Sequence, residues 1–578
     1  LVFRFSRISR HARRGGAFAF CAGVGSSVAL CRRETTSLCD AGDIDHDEEK
    51  RKYREIRVRE GSMRSATRKP SRLKVLWRLI VLVIHSIPAV VALLVCQVVD
   101  RPGLWDWYHR LCLELIRSCG AVAVKLGQWA ASRKDLFGER VCAMLPAELH
   151  LEVSSPLSAH ELQRVREECE LNQIPLSAGG MEHIGSGCIA SVVKARTAGR
   201  DVVIKILREG VRETIDADLA VLELVVRGVH KAMPQLRWLG FDEALDEFAS
   251  HMQTQTDFRI EGDNMRKMRE NFRTSAYIHV PAVIGHPQAG ILVQEYMDGY
   301  HLSDLLKPEA LEDMLRNLQV RKLLSLELGR AFCQMLFVDN FTHMDLHPGN
   351  IKIRFYGDPR EVRRGMVPQT IWNRLPTLSA AGLDDPHDKT PRICVPMPVL
   401  GVLDRLEAWW ARASGSVAFD LVFLDTGMTL ILSDHGRHTL VDSCSAAMKG
   451  DAEGAGRGLL RGHTKRGRVR PHASTDDFVQ DTGALMVCAV RWGDDWRRFF
   501  TDEDAYHKAG VAEYVTLATR IFGATGVKMD PEIYCASASV ALVEGSLRST
   551  YPFANIARCA LPFLLPGWTG FWEMFVGG

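Results

Sequence analysis

No CxxC pair occurs among the fifteen cysteines of this 578-residue chain. That absence argues against a zinc ribbon, a thioredoxin-type site and a disulfide scaffold, and leaves a reducing compartment as the default. Net charge is also nearly lacking: at +3 overall, the balance gives no argument for nucleic-acid binding, and no nucleic-acid partner is expected. With 46% hydrophobic and 25% charged residues, the chain is neither disordered nor wholly membrane-embedded, and its length allows one large or two to three ordinary domains. Two local absences say more. Residues 1–33 hold seven arginines and no carboxylate, Glu34 being the first; this is the composition of a mitochondrial presequence. Leu79–Val99, "LIVLVIHSIPAVVALLVCQVV", contains no Lys, Arg, Asp or Glu. A helix of that length, at about 1.5 Å per residue, matches a hydrocarbon core of roughly 30 Å. A charged linker over 34–78 and a single transmembrane helix over 79–99 are the expectation, with Arg72, Lys74 and Arg78 flanking one end.

The remaining pattern alternates in a definite order. Trp105 to Arg133 reads as helical. "MEHIGSGCIASVVKARTAGRDVVIKIL" reads as paired strands broken by the turn signal "TAGR". Residues 215–275 return to helical periodicity, and "AGILVQEYM" reads as a buried strand leading into a connection, where Glu295 and Met297 are nucleotide-binding candidates. Residues 356–398 are rich in Pro and charge and read as an insertion. "VAFDLVFLDTGMTLIL" resumes strand character before a mainly helical remainder, in which "HTKRGRVR" (463–470) reads as a solvated basic loop.

The densest polar cluster is "FVDNFTHMDLHPGNIKI" (337–353), with His343, Asp345, His347 and Asn350. On a strand, His343, Asp345 and His347 would share one face as zinc ligands could, but Pro348-Gly349 ends any strand and no companion His pair is near. As a loop, the spacing H-x-D-x-x-x-x-N is that of a kinase catalytic loop. Asp345 would orient the attacking group, and Asn350 would turn back toward magnesium between the phosphates. The companion parts occur in the required order. Lys205 stands in "DVVIKIL" as the strand lysine, Glu261 in "TDFRIEGDN" as its helical carboxylate partner, and Asp425 in "VFLDTG" as a second metal ligand. Gly185, Ser186 and Gly187 of "IGSGCIAS" form a turn whose backbone N–H groups could approach a phosphate. Lys205 would hold the nucleotide phosphates, and ATP with Mg2+ is the implied pair.

With those residues in place the chain resembles the aarF-domain, or UbiB, family of atypical kinases. "HMDLHPGN" is similar to that family's H-x-D-x-H-P-G-N loop, and "KLGQ" (Lys125 to Gln128) to its K-x-G-Q signature. "FVDNF", "KLGQWAASRKDLF" and "IGSGCIA" look closest to the mitochondrial aarF-domain-containing kinase two branch. The resemblance covers Trp105 to the mid-500s. It implies an α+β, protein-kinase-like two-lobed fold: a K-x-G-Q helical extension (105–175) over the active site, an N-lobe (180–300), and a helical C-lobe (301–578) with an insertion at about 356–417. It implies gating by Lys125 and Gln128, facing an E-x-D motif that here reads "QTD", so that Gln255 replaces the family's Glu and Asp257 remains. Together with the absence of an A-P-E tripeptide after Asp425, this argues against a conventional protein kinase. The implied function is an atypical kinase or ATPase of the mitochondrial inner membrane supporting coenzyme Q (ubiquinone) biosynthesis or lipid homeostasis. Its partners would be nucleotide, a membrane lipid or quinone precursor, and coenzyme Q biosynthesis proteins. A pseudokinase scaffold that binds nucleotide without turnover is the alternative.

Overall fold

The computed structural model describes residues 70–99, 102–132, 159–171, 174–176, 181–232, 241–315 except 274 and 276, 318–355, 378–379, 393–394, 419–491, 511–551, 554 and 556–564. The expected presequence and nearly all of the linker and the insertion lie outside these residues.

Helices α1 (Arg72–Val99), α2 (Pro102–Ser118), α3 (Ala121–Ser132) and α4 (Ala159–Leu171) come first. Strands β1 (Glu182–Ser186), β2 (Ala190–Thr197) and β3 (Arg200–Leu207) follow, then helices α5 (Val211–Ala232), α6 (Phe241–Thr254) and α7 (Phe258–Asn271). With β5 (Ile291–Glu295), the first three strands make an antiparallel sheet ordered β1-β2-β3-β5. The "TAGR" turn closes β2 on β3 because Ala198 and Gly199 both take positive φ (46° and 76°), the backbone twist that two-residue hairpins require. Alternation then sorts the sheet faces. Val193, Ala195, Val202, Ile204, Ile206, Ile291 and Val293 form one core with Val165 and Cys169 of α4. Lys205 falls on the opposite face.

The chain crosses to a second sheet through Glu295–Gly299. Strand β6 (Tyr300–His301) pairs with β8 (Ile351–Phe355), which pairs with β9 (Phe419–Phe423), which pairs in parallel with β4 (Ile278–His279). Gly299 has φ +119°, and a Cβ there would stand 2.7 Å from Ile353 O, so only glycine lets the connection come this close to β8. A small ladder joins β7 (Thr342–His343) to β10 (Thr429–Leu430). The longer helices of the remainder are α8 (Leu318–Cys333), α9 (Asp434–Lys449), α10 (Ala452–Lys465), α11 (Thr475–Arg491), α12 (Val511–Thr525), α13 (Pro531–Thr550) and α14 (Ile556–Leu564). Two sequence expectations need correction. "HTKRGRVR" is not a solvated loop: His463 is fully buried, Arg466 binds Asp530 (2.8 Å) and Glu532 (3.2 Å), and Arg468 lies 3.5 Å from Asp530. The carboxylates it answers are more than sixty residues away, beyond the reach of local reading.

The apolar segment is helical, but the helix starts at Arg72, inside the expected linker. Among the described residues α1 is the one helix long and apolar enough to cross a membrane, by length and composition. Leu73, Leu76, Trp77, Ile80, Ile84, Ile87 and Val91 are exposed at intervals of three and four, one stripe of the helix. On its other side Ala92 and Cys96 are buried. Arg78, one of the flanking charges, pairs with Asp218 of α5 and reaches the Cys119 carbonyl.

Candidate active site

The catalytic-loop candidate is built by what precedes it. Helix α8 widens into a π turn over Gln334–Val338, and Asn340 takes φ +48°, a conformation that Asn tolerates better than most side chains. Its amide clasps the Leu432 backbone in both directions, Nδ2 to O at 2.9 Å and N–H to Oδ1 at 3.1 Å. Phe341, Leu346 and Ile351 are fully buried and pin the loop between them. The histidines then shape it. His343 Nδ1 accepts from the Asp345 N–H (3.1 Å) and His347 Nδ1 from the Gly349 N–H (3.0 Å). One nitrogen of each ring is therefore engaged by backbone, which fixes how the two imidazoles are turned, and among the described residues no group of three His, Cys, Asp or Glu is placed to hold a metal. His343 is buried, which lowers its pKa and keeps the ring neutral, with Nε2–H facing the Asp425 backbone.

Lys205 meets two carboxylates, Glu261 Oε1 at 2.5 Å and Asp425 Oδ2 at 3.2 Å. Both partners are held in place. Asp257 caps α7 by accepting from the Arg259 N–H at 3.0 Å, which sets Glu261 in the first turn. Thr426 donates to Glu261 O (3.1 Å), Asn264 Nδ2 donates to Thr426 O (2.9 Å), and Asp425 Oδ1 accepts from the Gly427 N–H (2.8 Å). Helix α7 and the D-T-G loop are thus locked together by buried polar bonds. Thr426 and Asn264 went unread in the sequence; the signal was a polar side chain at an otherwise core position. Burial works against the Lys205 ammonium, yet Asp425 and Glu261 hold its pKa well above the usual lysine range. Burial and the Asp425 charge push Glu261 up to about 7, against the pull of Lys205.

Asn350 Nδ2 donates to the Asp345 backbone carbonyl at 2.9 Å, which leaves the Asn350 side-chain oxygen as its acceptor. With the Asp425 carboxylate it supplies hard oxygen donors of the kind magnesium takes. The gating candidates are arranged differently from the expectation. Lys125 Nζ pairs with Asp345 Oδ2 at 3.2 Å, across 220 residues, while Asp257 is held by Arg259. Gln255 Oε1 is buried without a hydrogen-bond partner. Gln128 lies on α3 with its side chain outside the described residues. The glycine turn also differs: the Gly187 N–H closes the hairpin onto Ala190 O (2.8 Å), and Ser186 accepts contact from His183 (2.9 Å). The carboxylate of Glu295 is turned to the Ala282 N–H (3.1 Å), and the Met297 carbonyl accepts from Lys352 Nζ (3.1 Å). That last residue was not singled out; a lysine inside the apolar run "NIKI", two past Asn350, was the available signal.

Burial alone would raise the Asp345 carboxyl, but Lys125, with His347 and His343, holds it well below the usual carboxylate range. A depressed folded-state value contributes stability that is fully present above the unfolded carboxylate value of about 3.9 and is lost as pH falls through the folded one. Lys125→Met should therefore cost roughly 3–5 kcal/mol near pH 7, with the gap to the parent protein narrowing toward pH 3. Urea melts across that range check it, and a gap independent of pH counts against the pairing.

Comparison with known proteins follows this geometry. Residues 175–364 match the model of the ABC1 atypical kinase-like domain. A mitochondrial ABC1 family protein of Schizosaccharomyces pombe is 26% identical over 494 residues, covering 79% of this chain and 65% of the relative. One from Saccharomyces cerevisiae, also mitochondrial by name, is 28% identical over 271 residues, covering 44% of this chain and 40% of the relative. A probable protein kinase UbiB of Vibrio atlanticus is 32% identical over 248 residues, covering 42% and 44%. The matched stretches thus span from 40% to 65% of these relatives' own length. A solved Mycobacterium tuberculosis protein bound to erythromycin aligns over 82% of this chain and 99% of its own at TM-score 0.44 and 16% identity, too distant to bear on function.

Proposed function

We propose, from the premise that this chain carries an ABC1 (UbiB-type) atypical kinase-like domain, that it is an ATP-using phosphoryl-transfer enzyme or ATPase of the mitochondrial inner membrane, supporting coenzyme Q biosynthesis or lipid homeostasis. The observation that carries the reading is the convergence on one point of Lys205, Glu261 and Asp425, with Asn350 and Asp345 on the facing loop. Phosphoryl transfer needs chiefly positioning and charge neutralisation, and these parts divide that work. Lys205, oriented by Glu261, holds the nucleotide phosphates. Asp425 and Asn350 would hold magnesium, which would supply positive charge against the phosphate oxygens. Asp345 orients the attacking group and accepts its proton. Helix α1, with its exposed apolar stripe, is the membrane element, and the mitochondrial names of the yeast relatives support the compartment.

One observation favours the second reading, a nucleotide-binding scaffold without turnover. The Asp345 carboxylate is already engaged by the Lys125 ammonium, which would silence it as a proton acceptor. Hydrolysis of ATP by the purified chain on anionic liposomes separates the two. The enzyme reading expects turnover that needs magnesium. The scaffold reading expects tight magnesium-nucleotide binding with none.

A further inference from the structure

The basic segment "HTKRGRVR" takes no part in the phosphate site, yet its charges converge on one point of the fold. Arg466, just past the end of α10, sets one guanidinium nitrogen on Asp530 Oδ2 (2.8 Å) and the other on Ser433 Oγ (2.5 Å) and Glu532 Oε1 (3.2 Å). Glu532 turns its second oxygen to Ser433, accepting from the N–H at 3.0 Å and from the hydroxyl at 2.6 Å. The Ser433 oxygen in turn caps α9 by accepting from the Gly436 N–H at 3.1 Å. A Cβ at Gly436 would stand 2.5 Å from Glu532 Oε2, so glycine makes room for the carboxylate. Asp530 is braced as well: its N–H donates to buried His463, and its Oδ1 accepts from the Glu532 N–H. Ser433 is thus held through both its hydroxyl and its backbone.

Ser433 is also where the chain running on from Asp425 ends before α9 begins, and that connection lies along the catalytic loop. The Met344 N–H donates to Met428 O at 3.0 Å, Thr429 and Leu430 pair with His343 and Thr342, and Leu432 is clasped by Asn340. Asp345 follows directly on this ladder. Phe341, Leu346 and Ile351 fix how deeply the loop sits; the ladder fixes its register against Asp425. We infer that Arg466 is a positioning residue: by holding Ser433 it anchors the far end of the connection, and so sets where the catalytic loop carries Asp345 relative to Asp425. For its effect on turnover the inference rests on the phosphoryl-transfer reading proposed above. A lysine could keep the charge but not the fork, since an ammonium is a point charge and a guanidinium is a rigid planar set of donors. In a reaction that depends on positioning, a displacement of about 1 Å arising far from the chemistry costs about a hundredfold.

The test uses the full chain with Arg466→Lys and, should that variant fold poorly, Ser433→Ala, which leaves the pairs of Arg466 with Asp530 and Glu532 in place. Magnesium-ATP hydrolysis on anionic liposomes gives kcat, calorimetry gives nucleotide affinity, and hydrogen exchange over residues 341–350 reads the loop itself. Both variants should lower kcat by about ten- to a hundredfold with affinity nearly unchanged, and both should speed exchange in that stretch. Asn340→Gly, which accepts the positive φ, should lower kcat likewise. Combined with Arg466→Lys it should cost much less than the two losses multiplied, because both act on one connection. An unchanged kcat, unchanged loop exchange, fully multiplicative losses, or affinity falling in step with kcat each overturns the inference. If the parent protein binds magnesium-ATP without turnover, the phosphoryl-transfer reading fails, and loop exchange alone then decides whether Arg466 positions the loop.

Discussion

Asp345→Asn is expected to lower nucleotide turnover by roughly 10²- to 10⁴-fold, the usual contribution of a positioned proton acceptor, with nucleotide affinity changed only severalfold. The substitution is informative because the loop does not depend on this carboxylate. The bonds that shape it at position 345 use backbone atoms, the N–H to His343 Nδ1 and the C=O from Asn350 Nδ2, and an asparagine keeps both. What changes is the side chain, which can no longer take a proton and no longer carries the charge that pairs with Lys125. Steady-state hydrolysis and equilibrium binding on the same preparation decide the matter. Unchanged turnover would remove Asp345 from the catalytic role, and loss of binding in step with turnover would point instead to a collapsed loop.

Lys205→Met should have the largest effect on both binding and stability. It removes the group proposed to hold the phosphates, so nucleotide affinity should fall by at least about a hundredfold, as when one partner of a buried charge set is lost. It also leaves Glu261 and Asp425 facing each other without the ammonium that lies between them. Breaking a buried ion pair in this way costs roughly 3–5 kcal/mol. Protonation relieves part of that cost, and its direction is fixed. Glu261 is already raised to about 7 in the parent protein by burial and Asp425, and removing Lys205 raises it further. An acid whose folded value lies above its unfolded one binds more protons when folded, so its contribution improves as pH falls. The variant's deficit should therefore shrink between pH 8 and pH 6 in denaturant melts, and Glu261→Gln added to it should recover much of the loss at pH 8. A deficit that grows in acid would contradict this account of the site.

The proposed catalytic parts were legible in the sequence because each carries a local signature that its chemistry would demand. A lysine in a β-branched run, a carboxylate in a helical stretch, and an aspartate before a tight turn all survive without knowledge of the fold. Lys205, Glu261, Asp425, Asn350 and Asp345 were singled out on those grounds, and the α+β, kinase-like architecture came from the family resemblance they support. What escaped was pairing. Asp257 read as a gating residue because only its spacing was visible; its use as the cap of α7, with Arg259 folded back on it, competes for the same carboxylate. The Gly187 N–H looked available to a phosphate, but a tight hairpin must satisfy its own backbone first, and Ala190 O takes it. Lys125 was expected opposite Gln255 and lies instead on Asp345, 220 residues away, a choice made by packing and not by any nearby residue.

The Arg78–Asp218 contact bears on how the molecule could move. A peripheral catalytic domain usually hangs from its anchor on a flexible tether and tumbles through a wide range of tilts. In the proposed reading of α1 as the anchor, that helix is fastened to α5 within a turn of the apolar segment, and Ala92 and Cys96 are buried toward its other end. With α1 in a bilayer, the cleft would be held at a set height and azimuth above the headgroups. Its search for an acceptor would then be a lateral one, confined to molecules that present their reactive group at that height.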